Sequence, residues 1–264
     1  MKIAICIKQV PDSWAEKKMA AGVLDRANVD AVLNDLDEYA VEEALRIVEA
    51  NSPTKEAGEG SGHTITLISM GPDRATEAIR KALSMGVNDA ILVTDPQLAG
   101  ADALATSAVL AAVIEKGGFD LVICGTESTD ARMSVVPAML AERLNAAQLT
   151  FASKVDVDPA AGKVSITRVT EAGVDEMHAQ FPCVISVVEK INEPRYPSFK
   201  GIMAAKKKTI ESRDLATVGV SAEGAWSLVA DATPRPARAA GIKVTDDGTG
   251  GEQLVSFLAE KKLI

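Results

Sequence analysis

The 264-residue sequence predicts an α/β fold: a parallel sheet flanked by helices, with added antiparallel strands and an extended C-terminal arm. Three observations carry this. Short β-branched apolar runs alternate with helix-period stretches over residues 3–144, closely spaced strand patterns take over from Leu149, and regular patterning thins beyond Ile210. The apolar content is chiefly Ala, Val, Leu and Ile while aromatics make up only 3%, which suits helices packed closely on a buried sheet. The length supports one large core or two small ones. We divide the chain into residues 1–209, the α/β domain, and 210–264, an arm with a short helix.

In order, Ile3–Val10 is a β-branched run that reads as one buried parallel strand, stopped by the turn Pro11-Asp12-Ser13. After a polar stretch, residues 37–50 place Tyr39, Ala40, Val41, Ala44, Leu45 and Val48 on one helical side, with Asn34, Asp35 or Asp37 as caps and a stop near Asn51-Ser52-Pro53. The unit recurs as a strand at Thr64–Ser69, a glycine turn and a helix starting at Pro72, where the missing N–H is tolerated. AILVTD and ADALATSAVLAAVIEKGG form the next pair; DLVICG and ARMSVVPAMLAERL form another, with Pro137 kinking or delaying the helix. FASKVDVD, KVSITRVT, DEMHAQF and CVISVV then read as antiparallel strands extending or edging the sheet. Residues 231–252, rich in Pro, Gly and charge, form an extended connector before the helix EQLVSFLAEKKLI.

Lys and Arg number 28 against 37 Asp and Glu, a net charge of -9 that repels nucleic acid and anionic membranes. Lys206–Lys208 is too short to reverse this and reads as a solvated run. Cys6, Cys124 and Cys183 are odd in number and lie in separate apolar runs, so they read as strand-core thiols of a reducing compartment. The chain opens directly into a strand without a signal-peptide pattern, and no run reaches membrane-spanning length; a cytoplasmic location follows as an expectation.

Most catalytic chemistries lack their residues. His63 and His178 stand in generic strand settings without a nucleophile or metal-ligand spacing, and there is no GxxxxGK[ST], no GxGxxG after the first strand, no CxxC and no HExxH. Ligands of open α/β sheets bind at the carboxyl ends of the strands. Three loops qualify: the turn after Val10, Ser69–Thr76, and Cys124–Ser134. In the last, Thr126, Ser128 and Thr129 lead into a helix start that suits a phosphate; the alternative is a capped helix with Ser128, Thr129 or Asp130 as N-cap. Asp35, Asp37 and Glu38 complement a helix N-terminus, while Asp156, Asp158, Glu171, Asp175 and Glu176 flank turns and read as solvated.

The segment EKINEPRYPSFKGIMAAKKK, residues 189–208, is stiffened by Pro194 and Pro197 and carries Tyr196 and Phe199 near its tip. With IAICIKQVPD, NDLDEYAVEEAL, SMGPDRATEAIRKALSMG, CGTESTD and TRVTEAGVDEMHAQFPCVISV, it makes the chain resemble, over essentially its full length, the β subunits of electron transfer flavoproteins. The resemblance implies an adenine-nucleotide-hydrolase-like α/β fold without hydrolase activity. It also implies an obligate heterodimer with an α subunit that supplies most of the site for one FAD, and a structural AMP in β. Carried over by position, the AMP pocket comprises Cys6, Asn34, Asp35, Leu36, Asp37, Met70 and Gly125, Thr126, Glu127, Ser128, Thr129, Asp130, Ala131, Arg132, Met133, Ser134, Val135 and Val136. Asp35 and Asp37 put carboxylates on this wall, which repel a phosphate unless they face the ribose hydroxyls.

The same resemblance makes residues 189–208 a recognition arm for dehydrogenases such as acyl-CoA dehydrogenases, with Pro194, Arg195, Tyr196, Pro197, Phe199, Ile202 and Met203 facing the partner and Lys206–Lys208 steering acidic surfaces. A membrane quinone oxidoreductase is the implied acceptor, and the C-terminal arm reaches across to α. Ser13, Trp14 and Leu36 are candidates for touching the flavin. Two other roles stay open: a bifurcating relative with a second FAD in β that oxidises NADH, and a stand-alone adenine-nucleotide-binding module.

Overall fold

A computed structural model of the chain describes residues 1–53, 61–222, 224–233 and 235–264. Its strands are β1 (Lys2–Cys6), β2 (Gln9–Pro11), β3 (Met19–Ala20), β4 (Val23–Leu24), β5 (Ala31–Leu33), β6 (Thr64–Met70), β7 (Asp89–Val93), β8 (Leu121–Gly125), β9 (Ala147–Asp158), β10 (Lys163–Thr170), β11 (Gly173–Gln180), β12 (Cys183–Val187) and β13 (Ile210–Arg213). The helices are α1 (Asp35–Asn51), α2 (Thr76–Ser84), α3 (Ala103–Gly117), α4 (Val136–Arg143), α5 (Phe199–Lys207), α6 (Leu215–Val218) and α7 (Gly250–Glu260).

Nine of these strands form one sheet in the order β11-β10-β9-β12-β8-β1-β6-β7-β13. From β9 to β13 across the sheet every neighbouring pair is parallel, and β10 and β11 add an antiparallel hairpin edge. Alternate residues of the central strands feed separate cores. Ile3, Ile5, Leu121, Ile123 and Ile185 face α1 and α2, while Ala4, Val122, Cys124 and Val184 face α3 and α4. Small residues on α1 and α2, Ala40, Ala44, Ala78 and Ala82, are fully buried and let the helices lie close to the sheet.

The structure corrects several local expectations. The run Ile3–Val10 is not one strand: β1 ends at Cys6, and β2 pairs with β5 in a separate ribbon. The break occurs because the Lys8 N–H donates to the Asp37 carboxylate and the Lys8 carbonyl accepts from the Asn34 N–H, so Lys8 has no ladder partner left. The polar stretch that follows holds a second small ribbon, β3 with β4. The helix placed at Pro72 starts instead at Thr76, after a 3₁₀ turn at Asp73–Ala75. Pro137 does delay its helix, which begins at Val136.

CVISVV is not an antiparallel strand. As β12 it lies between β8 and β9 and is parallel to both, and all five of its residues are buried, the behaviour of a central strand covered on two faces. Residues 210–213, which the sequence sets with the arm, pair with β7 as β13. The chain divides into two compact units, Met1–Ala230 and Asp231–Ile264. The second holds the predicted connector, in which the described residues from 231 to 249 carry no helix or strand, and then α7; Pro234 lies outside the described residues.

In the first unit α5 packs on α2 so closely that a Cβ at Gly201 would stand 2.5 Å from the Ser84 carbonyl oxygen. The obstacle is backbone and cannot swing aside. Gly201→Ala is therefore expected to cost about 1–3 kcal/mol in a urea unfolding titration.

Candidate functional site

The chain leaves β1 towards β6 on one side, and β8 returns on the other, so the loops after β1 and β8 diverge at the centre of the sheet. This is the switch point where open α/β sheets take ligands. Its framework is built by Asn34 and Asp37 at the start of α1. Asp37 accepts from Asn34 Nδ2 at 2.9 Å and from the Lys8 N–H at 2.7 Å, and Gly125 of β8 lies directly against it. Asn34 Nδ2 also donates to the Glu127 carbonyl at 2.9 Å, and its Oδ1 accepts from the Thr129 N–H at 3.0 Å. One buried Asn–Asp pair thus ties the ends of β1 and β8 to α1. Gly125 has to be glycine here: a Cβ would sit 2.6 Å from Asp37 Oδ1 and 2.8 Å from the Leu36 carbonyl carbon.

The loop beyond β8 is held by a second cluster. Lys8 Nζ bonds Asp130 at 2.8 and 3.0 Å and reaches Ser128 Oγ at 3.4 Å, and Arg26 Nε bonds Asp130 at 2.7 Å. Thr126 Oγ1 donates to the Val187 carbonyl, and Ser134 Oγ to Glu127. The candidate N-caps Ser128, Thr129 and Asp130 do not cap α4, because their polar groups face Lys8, Asn34 and Arg26. Arg132 and Ser134 hold positive φ, 52° and 56°, so the loop turns sharply before the helix.

Of the sequence-predicted residues, Asn34, Asp37, Gly125, Glu127, Ser128, Thr129 and Asp130 are joined in this network. Cys6 lies opposite Cys124 in the β1–β8 register, and half-buried Met70 ends the neighbouring strand β6. Ala131, Arg132 and Met133 are exposed, Asp35 points outward, and Val135 and Val136 are half-buried at the start of α4. Asp37 is turned inward onto framework donors, so it presents no open carboxylate to the crevice. Lys8 and Arg26 escaped the sequence analysis. Lys8 directly follows a strand end, a usable signal, whereas nothing local marks Arg26. The histidines stay ordinary: the His63 ring meets the Asn51 carbonyl and the His178 ring meets Ser165 Oγ. Among the described residues no cluster of three His, Cys, Asp or Glu suits a metal ion.

Residues 21–218 match the electron transfer flavoprotein domain. The chain is 48% identical to "Electron transfer flavoprotein subunit beta" of Mycobacterium bovis over 99% of both chains. It is 34% identical to the protein of that name from Megasphaera elsdenii over the full length of both. The chain belongs to the electron transfer flavoprotein β-subunit family. It is also 36% identical to "Protein FixA" of Azotobacter vinelandii, over 83% of this chain and 77% of that one. Among the described residues no helix of this β-family chain is long and apolar enough to cross a membrane.

A second feature of this electron transfer flavoprotein chain is the segment 192–208. Tyr196 is 96% exposed and Phe199 80% exposed, and Phe199, Ile202 and Met203 recur at helical spacing along α5 with their side chains open to solvent. Ser198 caps α5 by accepting from the Gly201 N–H at 3.0 Å. Arg195 faces inward instead, onto Glu42 and Glu49 of α1. Lys208 also leaves the expected steering group, for its ammonium donates to the Val87 carbonyl and burial lowers its pKa. Lys206 and Lys207 remain exposed.

The two crevice carboxyls titrate in opposite directions. Burial pushes Asp37 up to about 7 despite its N–H donors. Burial also works against ionised Asp130, but Lys8, Ser128 and Arg26 outweigh it and hold the group at about 2. Asp37, raised on folding, stabilises the fold below about pH 4 and loses that contribution as pH rises through about 7. Asp130, depressed on folding, stabilises the fold above about pH 4 and loses its contribution as pH falls towards 2. Asp130→Asn should therefore shrink the loss of stability between about pH 5 and pH 3; urea melts of both proteins at the two values measure it.

Proposed function

We propose that this chain is the β half of a heterodimeric electron carrier. Its crevice at the ends of β1 and β8 would hold AMP in a structural role, and the partner α subunit would bind most of one FAD. The observation that carries this is the crevice itself. It stands at the switch point of the sheet, and its carboxylates, Asp37 and Asp130, are committed to framework donors rather than poised beside a nucleophile. Such a site suits binding without turnover, and supports a carrier subunit in place of an enzyme.

The donor set fits a nucleotide monophosphate. The exposed Arg132 guanidinium and the leading N–H groups of α4 would hold the phosphate, with the polar carbonyls of the 126–130 loop and the half-buried Cys6 and Met70 beside the nucleoside. FAD, when bound, supplies the one- and two-electron chemistry. The exposed Ser13 and Trp14 of this chain are the groups we assign to the flavin side, where they would shield the cofactor from water. The free thiols Cys6, Cys124 and Cys183 suit a reducing cytoplasm.

Two exposed apolar surfaces support the partners. Leu254, Val255 and Phe257 of α7 are open to solvent, a stripe that the α subunit would cover. Tyr196, Phe199, Ile202 and Met203 would dock dehydrogenases such as acyl-CoA dehydrogenases, and a quinone oxidoreductase would take the electrons onward. A large apolar side chain buried at a docking interface contributes about 1.5–3 kcal/mol. Phe199→Ala is thus expected to weaken dehydrogenase docking by tenfold or more on that scale, read as a raised KM for the carrier, while cofactor content stays unchanged.

The deciding experiment is to co-express the chain with its α subunit, denature the complex and count the released small molecules by mass spectrometry and absorbance. One FAD and one AMP per heterodimer are expected. Two FADs and no AMP would make the β crevice a redox centre and the carrier a bifurcating one, and failure to form a heterodimer would favour a stand-alone nucleotide-binding module.

A further inference from the structure

We propose that Arg195 is a positioning residue for docking: it pins the exposed apolar face to α1 and makes no contact with the redox partner itself. The inference rests on the docking role proposed for Phe199. Four of the five guanidinium N–H groups are engaged within the chain. Nε and Nη2 donate to the two oxygens of Glu42 at 2.7 and 3.0 Å, and Nη1 and Nη2 donate to the two oxygens of Glu49 at 2.6 and 3.1 Å. The Arg195 backbone N–H adds a bond to Glu42 at 3.2 Å. Glu42 is buried, and the forked geometry of arginine is what lets one side chain serve two carboxylates a double turn apart on one helix.

Neighbouring contacts make this a clamp with two jaws. Asn192 donates to the Tyr39 carbonyl and to Glu43, again on α1, at 3.0 Å each. On the far side of the apolar face, Arg80 of α2 donates to the Ala205 and Lys208 carbonyls at the end of α5, and Gly201 lies against Ser84. Tyr196 and Phe199 project from the stretch between these anchors. A segment already held in its docked shape loses little conformational entropy when the partner arrives, and freeing it moves that cost into the binding step. The effect therefore falls on association with the dehydrogenase and leaves the electron-transfer step of the formed complex alone.

The test uses the intact heterodimer and a dehydrogenase that reduces the wild-type protein, with steady-state reduction as the assay. Arg195→Gln and the double variant Glu42→Gln/Glu49→Gln are each expected to raise KM for the carrier about tenfold at unchanged kcat. Combining all three substitutions should add little, because one clamp is broken twice. Hydrogen exchange at residues 192–201 should rise in both variants. Arg195→Lys, which keeps the charge and loses the fork, should behave like Arg195→Gln.

A KM rise with Arg195→Gln but not with the glutamate pair would make Arg195 a partner contact and overturn the proposal. So would a Lys variant indistinguishable from wild type, or additive effects. If Phe199→Ala itself leaves KM unchanged, the docking role falls and this inference with it; hydrogen exchange then still reports whether the clamp exists, which separates the two failures.

Discussion

A single buried carboxyl group, that of Asp37, holds the centre of this molecule together. It receives the Lys8 N–H just past β1 and the side-chain N–H of Asn34 before α1, and Asn34 carries the link on to the loop beyond β8, so three pieces of chain are joined. Each of those donors would be an unpaired buried polar group without it, and a buried N–H without a partner costs about 1–3 kcal/mol. The break in the first apolar run, the inward turn of Lys8 and the need for glycine at 125 all follow from this one acceptor. Dehydration opposes the charge, and the donors oppose the dehydration, so the group sits near neutrality where either form is accessible.

α1 is common property of the crevice and the exposed apolar segment. Its first turn carries Asp37 at the crevice, and its later turns carry Glu42, Glu43 and Glu49 under the exposed apolar segment. The helix is buried along most of its length against the sheet. The wall of the crevice and the exposed apolar segment therefore share one stiff strut. These acidic residues are the attachment points of a segment about 150 residues further on in the chain, as the separations of 146 and 153 between bonded residues show.

What was legible in the sequence was whatever local pattern encodes. β-branched runs marked the strands, alanine-rich periodic stretches marked the helices, and the loop after Gly125 stood out for its hydroxyl groups. The strand CVISVV was recognised as a strand but not by direction, since an apolar run is the same whether its neighbours run with it or against it. Ser128 and Asp130 have the chemistry of helix caps, and only the arrival of Lys8 and Arg26 from elsewhere assigns them to other partners. Arg195 was set among the partner-facing residues by the family resemblance of its segment; the carboxylates that claim it are invisible at short range. Residues 189–208 were the most informative stretch because their punctuation serves the display of Tyr196 and Phe199, which the fold leaves uncovered.

The placement of β12 and β13 has a bearing on how the chain is made. Residues 1–125 supply β1, β6, β7 and β8, yet the flanks of that four-strand set are filled only by residues 183–187 and 210–213. Once β8 is made, β8 waits about sixty further residues of synthesis and β7 about ninety as open sheet edges with unpaired backbone groups, the condition that invites mispairing with another chain. Synthesis at about 5–20 residues per second makes that interval several seconds long. Nascent-chain chaperones therefore have a defined window on this protein, closing on one flank when Val187 is in place and on the other only when Arg213 has followed it.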